Sequence, residues 1–183
     1  MDNLFGFSVT TPAAKQPDGG TARGTAVHRF LSLVDLDAVR KSGAAAEELT
    51  AQRDRMVEEK VFSGEEGAWI RPEAAGRFFQ SALGQRMLAS PEIHREWDFN
   101  LYVKDRDMIL QGMIDCAFRE GDGWILLDYK TDRIRNEADF MEEYRPQLAW
   151  YATALRELTG LPVKECWLYS LSVDKAMRVN RQE

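Results

Sequence analysis

Residues 107–130, DMILQGMIDCAFREGDGWILLDYK, contain two strand-like runs joined by a turn. The runs cover 107–118 and 123–130, and the Gly/Asp-rich REGDG at 119–123 is a hairpin signal. The second run ends oddly. Trp124, Ile125, Leu126 and Leu127 belong in an interior, yet Asp128, Tyr129 and Lys130 follow at once. With a period of two, Asp128 and Lys130 share one face of the strand and Tyr129 takes the other. Asp115 lies late in the first run. In a simple antiparallel hairpin the two acids need not face each other; a bulge or bend near Gly112 or Gly123 would bring them together.

Working outward, REWDFNLYV at 95–103 reads as another strand before this pair. After the pair, residues 138–159 return to helical spacing, with Phe140, Tyr144, Leu148, Tyr151, Ala152 and Leu155 on one face and Gly160 and Pro162 as terminators. VKECWLYSLSV at 163–173 alternates again as a fourth strand, and the final ten residues are polar enough to fray. Upstream, residues 1–22 form a flexible lead-in, and helices are predicted from Gly24 to Val34, over 44–60, and from Pro72 through Leu83. Gly84 would interrupt the last of these before a short turn, QRMLAS. A long helix between the third and fourth strands permits a parallel crossover. The fold class is α/β, a mixed central sheet flanked by helices, with the domain over 23–173 and a tail over 174–183.

At 183 residues the chain is long enough for one domain with a real core. Its 44% hydrophobic and 30% charged content are ordinary for a soluble globular protein, and no apolar run approaches the roughly 20 residues that span a bilayer. The start carries no basic segment followed by an apolar one, so no secretory signal is visible. Cys116 and Cys166 fall within strand patterns and read as core thiols of a reducing cytoplasm. With no cysteine cluster, the sequence argues against a zinc or iron–sulfur site built on thiolates. The net charge of −6 argues against a passive nucleic-acid coat but not against a DNA enzyme, because clustered carboxylates are themselves cation ligands.

An acid on one strand and Asp-x-Lys on its neighbour make a compact chemical unit. Two carboxylates offer hard oxygen ligands for Mg²⁺ or Mn²⁺, and a lysine can position or polarise water. Phosphodiester hydrolysis needs both functions. Alone, an Asp-x-Lys at a strand end is more often a solvated edge or an ion pair; the apolar run before it and the second acid weigh towards a site.

LQGMIDCAFREGDGWILLDYKTD at 110–132 resembles the core of the PD-(D/E)xK nuclease superfamily, in its RecB-like branch. Within that branch it is similar to the C-terminal nuclease domain of AddA-type chains of AddAB helicase–nucleases. The likeness continues in RGTAVH at 23–28 (a Gly-Thr-x-x-His motif), REWDFNL at 95–101 (Arg-Glu-x-x-Phe) and RPQLAWYATAL at 145–155 (Gln-x-x-x-Tyr). The resemblance implies a restriction-endonuclease-like core and a Mg²⁺-dependent DNA exonuclease, with Mn²⁺ as a possible substitute. It makes Asp115, Asp128 and Lys130 catalytic, and His28, Asp115, Asp128 and the backbone carbonyl of Tyr129 metal ligands. Glu96, Gln147 and Tyr151 become supporting or DNA-contacting residues. Implied partners are single-stranded DNA released by a helicase, helicase domains of the same or a parent chain, and an AddB-like subunit in the bacterial cytoplasm, with no membrane.

Each residue also has a plainer role open to it. His28 lies beside an apolar helix face, where a histidine is commonly a hydrogen-bonded core residue. Glu96 suits a paired strand acid, Gln147 a surface amide and Tyr151 a core aromatic. Trp97, Trp124, Trp150 and Trp167 read as core or interface before base-stacking platforms. Two departures from the relatives carry information. The four-cysteine cluster of AddB and Cas4-type nucleases cannot be built from Cys116 and Cys166, and no G-x-x-x-x-G-K-[ST] loop occurs. The chain reads as an excised C-terminal domain or a stand-alone relative, and its abrupt polar end and loose lead-in fit an excised domain slightly better. The competing reading is a non-catalytic nuclease-fold module that binds DNA or acts as a scaffold.

Overall fold

In the computed structural model, which describes residues 19–103 and 107–180, the strands form one five-stranded sheet in the order β1-β2-β3-β4-β5. These are β1 (Ile93–Val103), β2 (Met108–Glu120), β3 (Gly123–Lys130), β4 (Val163–Ser170) and β5 (Lys175–Arg178). Neighbours are antiparallel except β3 and β4, which run parallel across the long helix α7 (Glu137–Thr159). The mixed α/β sheet expected from the strand–helix order is therefore present. β3 is buried at every residue from Gly123 to Tyr129, as a central strand covered on both faces must be.

Two cores sandwich the sheet. One face packs against α1 (Gly19–Leu33), α2 (Leu36–Ser42), α3 (Ala46–Glu58), α4 (Gly64–Trp69), α5 (Pro72–Gln80) and α6 (Ala82–Leu88). There Phe30, Leu31, Leu49, Phe78, Phe79 and Met87 meet Phe118, Ile125, Leu127 and Tyr129. On the other face Phe140, Leu148, Tyr151 and Leu155 of α7 meet Ile114, Trp124, Leu126 and Leu168. Cys116 lies in the first core and Cys166 in the second, and burial pushes the Cys116 thiol up to about 12.

α7 follows its sequence signals: Asn136 caps its start through the N–H groups of Ala138 and Asp139, and left-handed Gly160 ends it. Pro72 occupies the first turn of α5, as expected. Gly84, however, does not break that helix. Ser81 does: its extended backbone ends α5, and its hydroxyl accepts the Gly84 N–H to start α6, so QRMLAS is largely helical.

The expected lead-in over 1–22 lies mostly outside the described residues, which enter α1 at Gly19. The expected fraying of residues 174–183 is corrected over their described part. Lys175–Arg178 pair with β4, and Met177 and Val179 turn into the second core, each 4% exposed. The alternation that hides these two side chains is short and surrounded by charge, so composition conceals it.

Candidate active site

The β2–β3 hairpin carries no bulge along its paired length. Pairing runs unbroken from Glu120↔Gly123 to Cys116↔Leu127, across a turn in which Gly121 takes φ +65. The ladder stops one step short of Asp115 and Asp128, which are close enough for the Asp115 charge to raise the Asp128 carboxyl. The bends expected at Gly112 and Gly123 are not what joins them. Gly112 instead makes room: a side chain there would lie 2.7 Å from the Phe99 ring and 3.0 Å from Tyr151.

The irregularity lies on the other side of Asp115. The β1–β2 ladder pairs Arg95 with Cys116 and Trp97 with Ile114 but omits Glu96 and Asp115 between them. Ile114 packs in the α7-side core and Cys116 in the opposite one, although residues two apart on a regular strand share a face. Both strands turn over here, and Glu96 takes left-handed φ 48 to allow it. The turnover leaves Asp115 where it reaches groups on both sides of the sheet.

From α1, His28 Nδ1 lies 3.3 Å from Asp115 Oδ1. The Tyr129 backbone N–H donates to Asp115 Oδ2 at 2.9 Å. Asp128, 3% exposed, has its Oδ2 in an ion pair with Lys130 Nζ at 2.7 Å, and that buried oxygen has no further partner among the described residues. Lys130 Nζ also donates to Gln147 Oε1 at 3.4 Å and sits 3.7 Å above the Tyr144 ring. Gln147 Nε2 in turn donates to the Tyr151 hydroxyl at 3.0 Å.

The charges are arranged as buried charges rarely are. Burial and then the neighbouring Asp115 charge raise the Asp128 carboxyl to about 6, despite Lys130 and His28. Asp115 is pulled the other way: burial opposes its ionisation, but His28, the Tyr129 N–H and Lys130 together hold its pKa below the ordinary value. Burial disfavours the His28 imidazolium, yet the Asp115 and Asp128 charges outweigh it and the pKa is raised. Two opposed carboxylates with their pKa values driven apart are the signature of a group poised for chemistry.

His28, Asp115, Asp128, Lys130, Gln147 and Tyr151, each singled out from sequence, thus form one connected chain of contacts. Tyr129 takes part through its N–H, while its ring turns to the first core and its hydroxyl to Met87 Sδ. Glu96 stands opposite Asp115, but its carboxylate makes no ion pair or hydrogen bond among the described residues. Sequence reasoning missed two participants. Tyr144 precedes Gln147 by three residues on the same helix face, a spacing that could have revealed it. Arg95 donates to the carbonyls of Leu31 and Val34, fixing the end of the helix that carries His28; it is the arginine of the Arg-Glu-x-x-Phe motif, but the motif does not show which groups it holds.

Two buried carboxylates, one with an unbonded oxygen, beside an imidazole are hard-donor chemistry suited to a divalent cation. Among the described residues no three His, Cys, Asp or Glu side chains converge on one point, because His28, the Tyr129 N–H and Lys130 occupy the carboxylates. The donor set, His28 included, fits such an ion once the Tyr129 N–H and Lys130 yield the carboxylates.

The chain is similar to the A-type subunit of the ATP-dependent helicase/nuclease of Clostridium botulinum (strain Loch Maree / Type A3), with 34% identity over 86% of this chain and 13% of that protein. The equivalent helicase/nuclease protein of Alkaliphilus metalliredigens is 35% identical over 85% of this chain and 14% of its own length. The chain thus spans about one seventh of the length of these relatives. A Vibrio cholerae crystal structure covers 83% of this chain and 43% of its own at 14% identity and TM-score 0.36, too loose a likeness to argue from. The family description that matches is the PD-(D/E)XK nuclease superfamily, over residues 5–182. With its sheet order, its aspartate pair and its adjoining lysine in place, the chain belongs to the PD-(D/E)XK nuclease superfamily.

Proposed function

We propose that this chain is a Mg²⁺-dependent deoxyribonuclease domain of exonuclease type, acting on single strands released by a helicase. Mn²⁺ is an acceptable substitute. PD-(D/E)XK nucleases generally use divalent metals. The observation that carries the reading is the buried Asp115–Asp128 pair, with Asp128 raised to about 6 and Lys130 2.7 Å from it. Asp115, Asp128, His28 and the Tyr129 carbonyl would hold the ion, which supplies Lewis acidity and charge for the phosphoryl oxygens. Lys130, held by Gln147 Oε1 and the Tyr144 ring, orients the attacking water and offsets charge developing on the phosphate. Gln147 is itself fixed by Tyr151, so α7 sets the direction of the lysine. Arg95 and Glu96 act at a distance, through the end of α1 and the turnover of β1.

Similarity to helicase/nuclease proteins supports a setting in which helicase domains of a longer chain feed this domain, with an AddB-like subunit, during double-strand-break repair and recombination in a bacterial cytoplasm. No membrane is involved; no helix among the described residues is long and apolar enough to cross one. One observation favours a non-catalytic DNA-binding or scaffold module: among the described residues no three donors converge. The test is cleavage of labelled single-stranded DNA in Mg²⁺ and in EDTA, beside Asp128→Ala and Lys130→Ala. Metal-dependent cutting should be abolished in the first and fall about 10²–10³-fold in the second. Equal cutting by all three proteins would leave the non-catalytic reading.

A further inference from the structure

The chain of contacts that ends on Lys130 starts at a glycine. Gly112 is buried in β2 and pairs directly with Phe99 of β1, whose ring leans across the space a side chain would take. A Cβ there would lie 2.7 and 2.9 Å from two Phe99 ring atoms and 3.0 Å from Tyr151 Cε1. Carbon atoms in ordinary contact stand roughly 3.5–4.0 Å apart, so both rings would have to move. They have little room to do so, being 4% and 8% exposed and set edge to face at 5.6 Å.

A displaced Tyr151 is felt at Lys130. The Tyr151 hydroxyl accepts from Gln147 Nε2 at 3.0 Å, which turns Gln147 Oε1 towards Lys130 Nζ at 3.4 Å. That last contact is near the limit of a hydrogen bond, and a further shift of about 0.2 Å breaks it. Among the described residues the ammonium is also anchored by Asp128 Oδ2 at 2.7 Å and by the Tyr144 ring at 3.7 Å. A ring face attracts the charge without aiming its N–H bonds, and Asp128 must release it to serve a cation. In the working site, Gln147 is then what aims the lysine.

We propose that Gly112 is a positioning residue for Lys130: the side chain it lacks leaves Phe99 and Tyr151 where Tyr151 holds Gln147, and Gln147 aims the ammonium. The proposal rests on the nuclease reading for what the lysine does, but not for where it points. It makes the ribbon of β1 and β2, and not α7 alone, the setting of the lysine.

The test follows Lys130 by proton–carbon NMR of the 183-residue chain carrying isotopically labelled lysine. The Lys130 Cε protons adjoin the ammonium over the Tyr144 ring, whose ring current moves their signal upfield; Lys130→Arg identifies that signal by its loss. Spectra are taken in EDTA in an Asp128→Asn background, where no carboxylate anchors the ammonium. Gly112→Ala should move the signal. Adding Phe99→Leu should return most of it, because leucine lacks the two ring atoms that the new methyl meets. With Asp128 intact and Mg²⁺ present, Gly112→Ala should lower kcat on single-stranded DNA ~10- to 100-fold, the scale of one hydrogen bond to a charged group, with KM within about threefold. The added Phe99→Leu should recover most of kcat although it removes a core ring, a recovery that a stability defect does not allow. Each variant is checked for folding by circular dichroism. If Gly112→Ala does not fold, Tyr151→Phe, which removes only the hydroxyl that holds Gln147, should give the same shift and the same loss. An unmoved Lys130 signal in the folded variant, a loss confined to KM, or a loss that Phe99→Leu leaves in place would overturn the proposal. A lysine signal that moves in a protein whose parent never cuts in Mg²⁺ would instead refute the nuclease reading and leave the positioning standing.

Discussion

Asp128 is the residue at which stability and chemistry conflict. Its carboxyl is raised to about 6 by burial and by Asp115, so in the metal-free protein the folded state favours the protonated form more than the unfolded chain does. A group raised in this way contributes stability that is complete below its unfolded pKa and is lost as pH climbs through about 6. His28, also raised, loses its contribution in the same direction. In EDTA the protein should therefore melt lower at pH 8 than at pH 5.5 (conditions chosen to bracket about 6). Asp128→Asn, which carries no charge to bury, should be more stable than the parent at the higher pH by roughly 1–3 kcal/mol, the gap closing on acidification. Mg²⁺ should raise the parent's melting temperature at that pH and leave the Asn variant unmoved. Calorimetric scans across the series check all three outcomes; an Asn variant no more stable than the parent would mean that the carboxylate is not under repulsion.

Elements matter here through one departure from regularity. β1 and β2 could have continued as a flat ribbon, with every second residue on one side. They turn over at Glu96 and Asp115 instead, and the cost is a left-handed glutamate. A non-glycine residue at φ 48 is strained by about 1 kcal/mol relative to glycine. Glu96→Gly should accordingly raise the unfolding free energy by about 0.5–1 kcal/mol in urea titrations. If the carboxylate acts only through the backbone, cleavage should stay within about threefold of the parent; a larger fall would give Glu96 a direct role. Gly112 serves the same region differently, by letting Phe99 and Tyr151 close over β2 beside Gln147. The sequence marks Gly112 and Gly123 as special, but nothing local distinguishes a bend from a gap for an aromatic ring.

For the whole molecule, the sheet closes with β5, which the composition of the last ten residues hides. Met177 and Val179 are anchors in a polar stretch, and the Arg77–Asp174 ion pair at 2.7 Å ties the preceding turn to α5. Truncating a buried methionine typically costs about 2–5 kcal/mol, so Met177→Ala should destabilise the domain by about 2–4 kcal/mol in denaturant melts. A frayed tail would register less than about 0.5 kcal/mol, the usual scale of a surface change. Burial of β4 between β3 and β5 also explains why Trp167 and Cys166 read as core without any motif around them.

What the sequence determined alone was whatever repeats at short range: the period of two through 107–118 and 123–130, the helical period and caps of α7, and the Asp-x-Lys that puts Asp128 and Lys130 on one face. These depend on backbone geometry, which adjacent residues dictate. Resemblance added His28, Gln147 and Tyr151 to that list as motifs in order. Only the tertiary structure decided the β2–β3 pairing that ends one step short of Asp115 and Asp128, the turnover at Glu96 and the cation–π seat of Lys130 on Tyr144. Each joins segments far apart in the chain or selects one of several locally equivalent geometries, and that selection is made by packing against two cores rather than by any residue's own preference.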